Sequence, residues 1–226
     1  MSLRPSLLVP AALLGLLTVA LAGDLVLLED WTAPPLGTKG VPPPWQKQRW
    51  GSPAYDFTVV EDGGQRALHL KSAGDSSNLS LELKGRVSLK DTPVLEWRWK
   101  VVALPAGADS RKKETDDQAA QLYVTWPRFP EAVRSRIIGY VWDTTAPAGT
   151  IVKSHKTGTV TYVVVRSGPA ELGRWLTERR DVRQDFKHIY GEEPDDPAVI
   201  SIGIDSDDVQ GTAESYLGSI VFKKPY

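Results

Sequence analysis

Acidic side chains are grouped at two points of the chain where they could work together. Asp116 and Asp117 open one apolar segment, and Asp205 and Asp207 close another. If these segments are neighbouring strands with those ends together, their carboxylates converge, as the oxygen ligands of a calcium ion must. All four are therefore candidate metal ligands, with calcium as the candidate ion. A full calcium-loop pattern is missing, because Val209 stands where an oxygen ligand is expected.

The same carboxylates support two other interpretations. One of Asp116 and Asp117, paired with one of the later two carboxylates, would provide the acid and the nucleophile that cleave a glycosidic bond. That reaction requires carboxyl groups roughly 5 to 10 Å apart. As simple caps, the aspartates would only accept hydrogen bonds from backbone N–H groups, a common role of aspartate at strand ends and turns. The sequence leaves a calcium site, a catalytic pair and caps all open.

Other reactive groups find no support in the sequence. The chain has no cysteine, which excludes thiolate catalysis, thiolate metal sites and disulfides. No serine lies in a Gly-x-Ser-x-Gly elbow. The three histidines are far apart and lack the spacing of metal ligands.

Tryptophan is the second unusual feature, with eight residues in the chain. Trp97 and Trp99 are two positions apart, so on a strand they share one face. The opposite face carries Glu96, Arg98 and Lys100. This alternation predicts that the two tryptophans belong to the core.

Three other tryptophans are better placed to bind a ligand. Trp126 and Trp142 end predicted strands beside loops, and Trp175 has polar neighbours. Exposed indole rings can stack on the C–H faces of sugars. Arg98, on the charged face of its strand, could contact an anionic or polyhydroxyl ligand. Trp126, Trp142, Trp175 and Arg98 are therefore the candidate ligand-binding residues.

Apolar residues recur with a period of two along most of the chain, which is typical of strands with one buried face. The glycines of Asp62-Gly63-Gly64 allow the positive φ of a tight hairpin turn. The strands predicted in this way cover residues 24–31, 55–60, 67–71, 79–83, 94–102, 119–126, 137–142, 160–166, 174–180, 199–205 and 216–223.

One segment breaks this period. Between residues 181 and 190 the apolar positions fall on one helical face, with Asp181 suited to the N-cap and Gly191 to the position after the last turn. Many short strands and a single short helix predict an all-β fold, a two-sheet antiparallel β-sandwich, because neither sheet could bury its apolar face alone. The polar stretches 105–115 and 144–158 are either the rims of a site or ordinary solvated loops.

The first residues predict export. Arg4 precedes an apolar run over residues 7–21, and Ala20-Leu21-Ala22 has the small-x-small pattern of a signal-peptidase site. The run is shorter than the roughly 20 residues of a membrane span. We expect a signal peptide over residues 1–22, a periplasmic or secreted protein without an integral span, and a single domain over residues 24–226. An uncleaved anchor is the alternative.

The charge balance argues against nucleic acid as a partner. The chain has 27 basic and 28 acidic residues. Nucleic-acid-binding proteins generally carry a basic patch or an excess of positive charge.

A series of motifs follows in order along almost the whole mature chain. The motifs are Leu95-Glu96-Trp97-Arg98-Trp99-Lys100-Val101, the segment 116–124, Tyr140-Val141-Trp142, Trp175 with Glu178-Arg179-Arg180-Asp181-Val182, Asp185-Phe186, Tyr190-Gly191, Ile202 to Asp205 with Asp207, and Tyr216-Leu217-Gly218-Ser219-Ile220. In this order they resemble a bacterial family of exported proteins known as domain of unknown function 3047. The resemblance implies a jelly-roll β-sandwich of the kind seen in galactose-binding and carbohydrate-binding modules, and it implies no activity.

Three functions remain open from the sequence. The first is a non-catalytic domain that binds a glycan or another envelope component, with or without calcium. The second is a hydrolase or lyase that acts on glycans through paired carboxylates, and the third is an envelope scaffold that contacts another protein.

Overall fold

Alternation of apolar and polar residues along the chain produces two packed β-sheets. The computed structural model describes residues 23–225, so the predicted signal peptide lies outside the described residues. No helix in this range is long and apolar enough to cross a membrane. The α-helices are α1 (Glu131–Arg134) and α2 (Val182–Tyr190), and residues Lys113–Thr115 form a short 3-10 helix. The strands are β1 (Leu25–Glu29), β2 (Gln46–Lys47), β3 (Asp56–Asp62), β4 (Gln65–Ala73), β5 (Ser76–Glu82), β6 (Val94–Ala103), β7 (Ala120–Trp126), β8 (Arg136–Asp143), β9 (Ile151–Lys153), β10 (Val160–Ser167), β11 (Leu176–Asp181), β12 (Val199–Asp205) and β13 (Thr212–Lys223).

The strands form a six-stranded and a seven-stranded sheet. The first has the order β11-β6-β13-β4-β3, with β1 also paired to β13. The second has the order β2-β5-β12-β7-β8-β10-β9. Among the strand pairs of residues 23–225, β8 and β10 run parallel and the others antiparallel. The predicted all-β, two-sheet sandwich is confirmed, with this one parallel pair added.

Tryptophan and tyrosine rings join the two sheets. Trp97 and Trp99 of β6 are fully buried, as their spacing predicts. The ring centroid of Trp97 lies 5.3 Å from that of Tyr140, and the ring centroid of Trp99 lies 6.0 Å from that of Trp142. Because β6 and β8 belong to different sheets, these contacts cross the core. Aromatic side chains bury large areas, so they make a major contribution to packing here.

The predicted helix is confirmed together with both of its caps. The side chain of Asp181 accepts a hydrogen bond from the backbone N–H of Gln184, and Gly191 ends α2 in the left-handed conformation, with φ 71°. Such caps satisfy backbone groups that a helix end leaves unpaired. The buried Phe186 packs on Trp126, with ring centroids 4.6 Å apart, and so holds α2 against the sandwich.

A single buried carboxylate holds the two long loops that border the seven-stranded sheet. Asp143 is fully buried at the end of β8. It accepts backbone N–H bonds from Ser110 at 2.9 Å, Thr145 at 2.7 Å and Ala146 at 2.6 Å, and the Ser110 hydroxyl also donates to it. Thr145 also donates its hydroxyl to the Ala108 carbonyl. The loop before β7 and the loop after β8 are therefore fixed to each other.

Replacing Asp143 should destabilise the protein strongly. Asp143→Ala leaves three N–H donors without their acceptor, two of them buried, so we expect the free energy of unfolding to fall by about 3 kcal/mol. Urea unfolding followed by tryptophan fluorescence measures this change. Asp56→Ala, at an exposed position, is the matched control. Equal unfolding midpoints for the two variants would contradict the role given to Asp143.

Candidate functional site

The pairing of β12 with β7 brings the two acidic segments together. The strands are antiparallel, with Gly203 opposite Gln121, so the end of β12 meets the beginning of β7. The pairing continues past the strands, because the Asp205 N–H donates to the Gln118 carbonyl at 3.0 Å. The strand ends are therefore neighbours, as the sequence-based hypothesis of a shared acidic site requires.

Three carboxylates meet at this point, and we call Asp117, Asp205 and Asp207 the acidic cluster. Each offers an oxygen, and these oxygens all lie within 4.8 Å of one another. Asp117 is fully buried, whereas Asp205 and Asp207 are partly exposed. The Asp117 carboxylate also accepts the backbone N–H groups of Asp208 at 3.1 Å and Val209 at 2.8 Å. It thereby fixes the turn that follows β12.

Crowding of negative charge changes the protonation of the acidic cluster. Burial, together with the charges of Asp117 and Asp207, raises the pKa of Asp205 to about 9. Asp205 therefore keeps its proton at neutral pH unless a cation compensates the charge. Lys156 supplies one positive charge nearby, since it pairs with Asp208 and lies 3.9 Å from Oδ1 of Asp207.

Asp116, the fourth predicted metal ligand, lies outside the acidic cluster. Its carboxylate accepts hydrogen bonds from the Gln118 amide at 2.7 Å, the Ser154 hydroxyl at 3.2 Å and the Tyr162 hydroxyl at 3.4 Å. Burial raises the pKa of Asp116 to about 6. The structure thus brings together three of the four predicted ligands and places the fourth in an adjoining hydrogen-bond network.

Amide side chains extend this network across the outer face of the seven-stranded sheet. The Gln121 amide donates to the Gln118 side-chain oxygen at 2.7 Å. Gly203 provides the space for its neighbours, because a Cβ there would lie 2.6 Å from both the Asn78 amide nitrogen and the Gln121 amide oxygen. A glycine inside a strand often marks such a close approach.

Two phenols lie beside these amides. A Cβ at Gly139 would lie 2.7 Å from the Tyr123 ring and 3.1 Å from the Tyr162 ring, so this glycine makes room for both. Burial raises the pKa of both phenols, and both therefore remain protonated at neutral pH. We call Asn78, Gln121, Tyr123 and Tyr162 the polar face. Sequence reasoning missed these residues, although the strand glycines Gly139 and Gly203 were a usable signal.

The predicted tryptophan ligands do not gather at the polar face. Trp126 and Trp142 face the core and are only 3% and 1% exposed. Their indole N–H groups donate to the backbone carbonyls of Asp195 and Gly168. Because both rings are enclosed, neither can stack on a ligand in this structure.

Trp175 and Arg98 lie together on the outer face of the six-stranded sheet. The Arg98 guanidinium carbon is 5.6 Å from the Trp175 ring centroid. The indole N–H of Trp175 donates to Asp62 at 2.7 Å, and Lys100 donates to the same oxygen at 2.6 Å. The whole sandwich separates this pair from the acidic cluster, so the two sets of predicted residues cannot form one site.

The raised pKa of Asp205 predicts a stability that falls with pH. Between its ordinary pKa of 3.8 and about 9, the folded chain holds a proton that the unfolded chain has lost, so unfolding becomes easier as pH rises. We expect the wild-type urea midpoint in EDTA to decrease from pH 5 to pH 9. Asp205→Asn, which is neutral at every pH, should flatten this decrease and exceed the wild-type midpoint at pH 8. Asp195→Asn, at an exposed position, should follow the wild type, and parallel curves for all three proteins would refute the assignment.

Comparison with solved structures finds distant similarities. The K2 adhesin domain of Lys-gingipain matches with 8% identity and a TM-score of 0.42, over 88% of this chain and 99% of that one. The carbohydrate-binding module CBM27-1 of Caldicellulosiruptor saccharolyticus, in complex with mannohexaose, matches with 15% identity and a TM-score of 0.41, over 89% and 97%. The xyloglucanase domain of NopAA from Sinorhizobium fredii matches with 9% identity and a TM-score of 0.41, over 80% and 91%. At these values, similarity carries no information about a ligand.

The sequence comparisons give a clearer result. No curated protein matches the chain. A family model matches residues 43–221, which is well over half of the sequence, and it is the family that the ordered motifs predict. The chain therefore belongs to the family described as protein of unknown function DUF3047.

Proposed function

We propose that this protein binds a carbohydrate on its polar face with the help of a calcium ion held by the acidic cluster. The observation that carries the proposal is the convergence of three carboxylate oxygens within 4.8 Å at one end of two paired strands. The cluster extends from the buried Asp117 to the partly exposed Asp207. An ion held there would be reachable from solvent.

The donor set suits calcium. Calcium binds six to eight oxygen ligands at roughly 2.3–2.6 Å, so ligands on opposite sides of one ion are about 5 Å apart. The spacing of the cluster lies within that limit. Within the described residues, Oδ1 of Asp207 accepts no hydrogen bond, and its nearest cation is Lys156 at 3.9 Å. Calcium would take the place of the Asp205 proton, because metal ligands bind in their deprotonated form.

The neighbouring side chains suit a ligand rich in hydroxyl groups. Three carboxylates supply only part of a calcium shell, and sugar hydroxyls can occupy remaining positions. The Tyr162 hydroxyl donates to the Asp116 carboxylate at 3.4 Å, and Asp116 directly precedes Asp117 of the acidic cluster, so the phenols lie next to that cluster. Asn78 and Tyr123 are the partly exposed members of the polar face, and their amide and hydroxyl groups offer both donors and acceptors, whereas Gln121 and Tyr162 are buried behind them. Such groups orient a sugar once the ion holds it.

Calcium should stabilise the folded protein. At a calcium concentration 100 times Kd, we expect the free energy of unfolding to rise by about 2.7 kcal/mol. Asp207→Asn removes a charged ligand that contributes little to the fold, so its calcium affinity should be at least tenfold weaker. Calorimetric titration and thermal unfolding, each with and without calcium, measure both effects. The control Asp56→Asn should behave as the wild type, and a wild-type Tm unchanged by calcium would exclude the metal site.

Carbohydrate binding should depend on that ion. A panel of neutral and acidic polysaccharides, tested by affinity electrophoresis with calcium and with EDTA, should include at least one that binds only with calcium. Asn78→Ala removes the partly exposed amide of the polar face and should weaken this binding about fivefold, which corresponds to the loss of roughly one hydrogen bond. Gln46→Ala, on the exposed strand β2, should leave it unchanged. Binding that persists in EDTA would separate the carbohydrate from the ion, and no binding in the whole panel would reject the proposed function.

The protonated state of Asp205 favours a second candidate function, the cleavage of glycosidic bonds. Asp205 could donate its proton to a leaving group while the Asp117 carboxylate acts as the nucleophile, and their oxygens lie close enough for a retaining mechanism, in which the carboxyl groups are roughly 5 to 5.5 Å apart. Release of reducing ends in EDTA, lost in both Asp205→Asn and Asp117→Asn, would establish this function. Polysaccharides that bind but are never cleaved would leave binding as the function.

A further inference from the structure

A cleft of about 370 Å³ lies away from the acidic cluster. It is formed by the last turn of α2, the beginning of β8 and the β9–β10 hairpin. Adjacent strand residues point to opposite faces of a sheet, so Thr161 lies on the opposite face of β10 from Tyr162. The cleft therefore opens on the other face of the seven-stranded sheet from the polar face. Its lining residues are Arg136, Ile151, Lys153, Gly158, Thr159, Thr161, His188, Ile189 and Tyr190.

Positive charge dominates the lining. Arg136 and Lys153 both contribute positive charge to it. Glu192 faces Arg136, but its carboxylate lies 2.7 Å from Nη1 of Arg128 and 3.8 Å from Nε of Arg136. Glu192 is therefore paired mainly outside the cleft, and the lining keeps an excess of positive charge.

The guanidinium of Arg136 is held in place before any ligand arrives. Its carbon lies 4.8 Å from the Tyr190 ring centroid. Tyr190 is fixed in turn, because its hydroxyl donates to the Ile137 carbonyl at 3.0 Å and its ring packs on Phe186 with centroids 4.7 Å apart. Nε of Arg136 is buried and finds no hydrogen-bond partner in the part of the chain described. A guanidinium fixed in this way loses little freedom on binding an anion.

We infer that this cleft binds an oxyanion, the carboxylate or phosphate group of a small ligand. Arg136 would bind the anion in the planar, two-pronged manner that suits these groups. Lys153 adds charge from β9, and the hydroxyl of Thr159 adds a donor. The exposed Ile151 offers an apolar contact to the remainder of the ligand.

The helix end does not cancel this attraction. The C-terminus of a helix carries partial negative charge, which disfavours anions. The Lys187 side chain lies in the last turn of α2 and pairs with Glu193 at 2.8 Å. The Gly191 N–H donates to the Lys187 carbonyl at 2.9 Å, which satisfies one of the carbonyl groups that create this partial charge.

Calorimetric titration in EDTA with inorganic phosphate, glucuronate and neutral glucose tests the inference. We expect phosphate or glucuronate to bind, glucose not to bind, and the affinity to weaken as NaCl is raised. The stronger of the two anions identifies the group. Because the titration contains no calcium, its result is separate from that of the proposed function.

Arg136→Gln should weaken anion binding at least tenfold, and Lys153→Gln at least threefold. Lys153 lies on a different element, so its variant keeps the test valid if Arg136→Gln folds poorly. Lys113→Gln, at an exposed position, is the control and should bind as the wild type does. If neither anion binds, or if both cleft variants bind like the wild type, the inference is wrong.

Discussion

The antiparallel pairing of β7 with β12 is the contact on which the candidate site depends. Gly203 faces Gln121 in this register, and the hydrogen bond from Asp205 to Gln118 extends it beyond the strands. A slip of one residue would turn every side chain of β12 to the other face. Asp205 would then leave the acidic cluster, and its apolar neighbours Ile202 and Ile204 would leave the core. Burial of the core thus fixes the position of the carboxylates.

Once placed together, the carboxylates have to be neutralised. Backbone N–H groups compensate the negative charge of Asp117. Lys156 compensates the charges of Asp207 and Asp208, and Asp205 is neutral because it holds a proton. These compensating groups differ in how easily another cation can replace them. Backbone donors are permanent, whereas a proton can be replaced by a cation. The proton held by Asp205 and the proposed binding of calcium therefore have the same cause, the negative charge that the fold concentrates in the acidic cluster.

Much of the fold was predictable because strand burial repeats every two residues. That period identified β6 and the burial of Trp97 and Trp99, and cap residues identified α2. The polar face was not predictable, because it depends on strand order, which a pattern within each strand does not contain. Trp126 ends β7 beside a loop, but it shares a face of that strand with the core residues Leu122 and Val124, and this alternation, not the nearby loop, determines its burial.

The shared attachment of two loops to Asp143 has a consequence for how a ligand meets this protein. The Asp143 carboxylate accepts hydrogen bonds from both the loop before β7 and the loop after β8. The two loops are therefore held in a fixed position relative to each other and do not move independently. An incoming molecule encounters an opening whose shape is already set, so little loop entropy is lost on association. The same attachment restricts insertions in either loop. A longer loop is tolerated only if Ser110, Thr145 and Ala146 stay within hydrogen-bond distance of the Asp143 carboxylate.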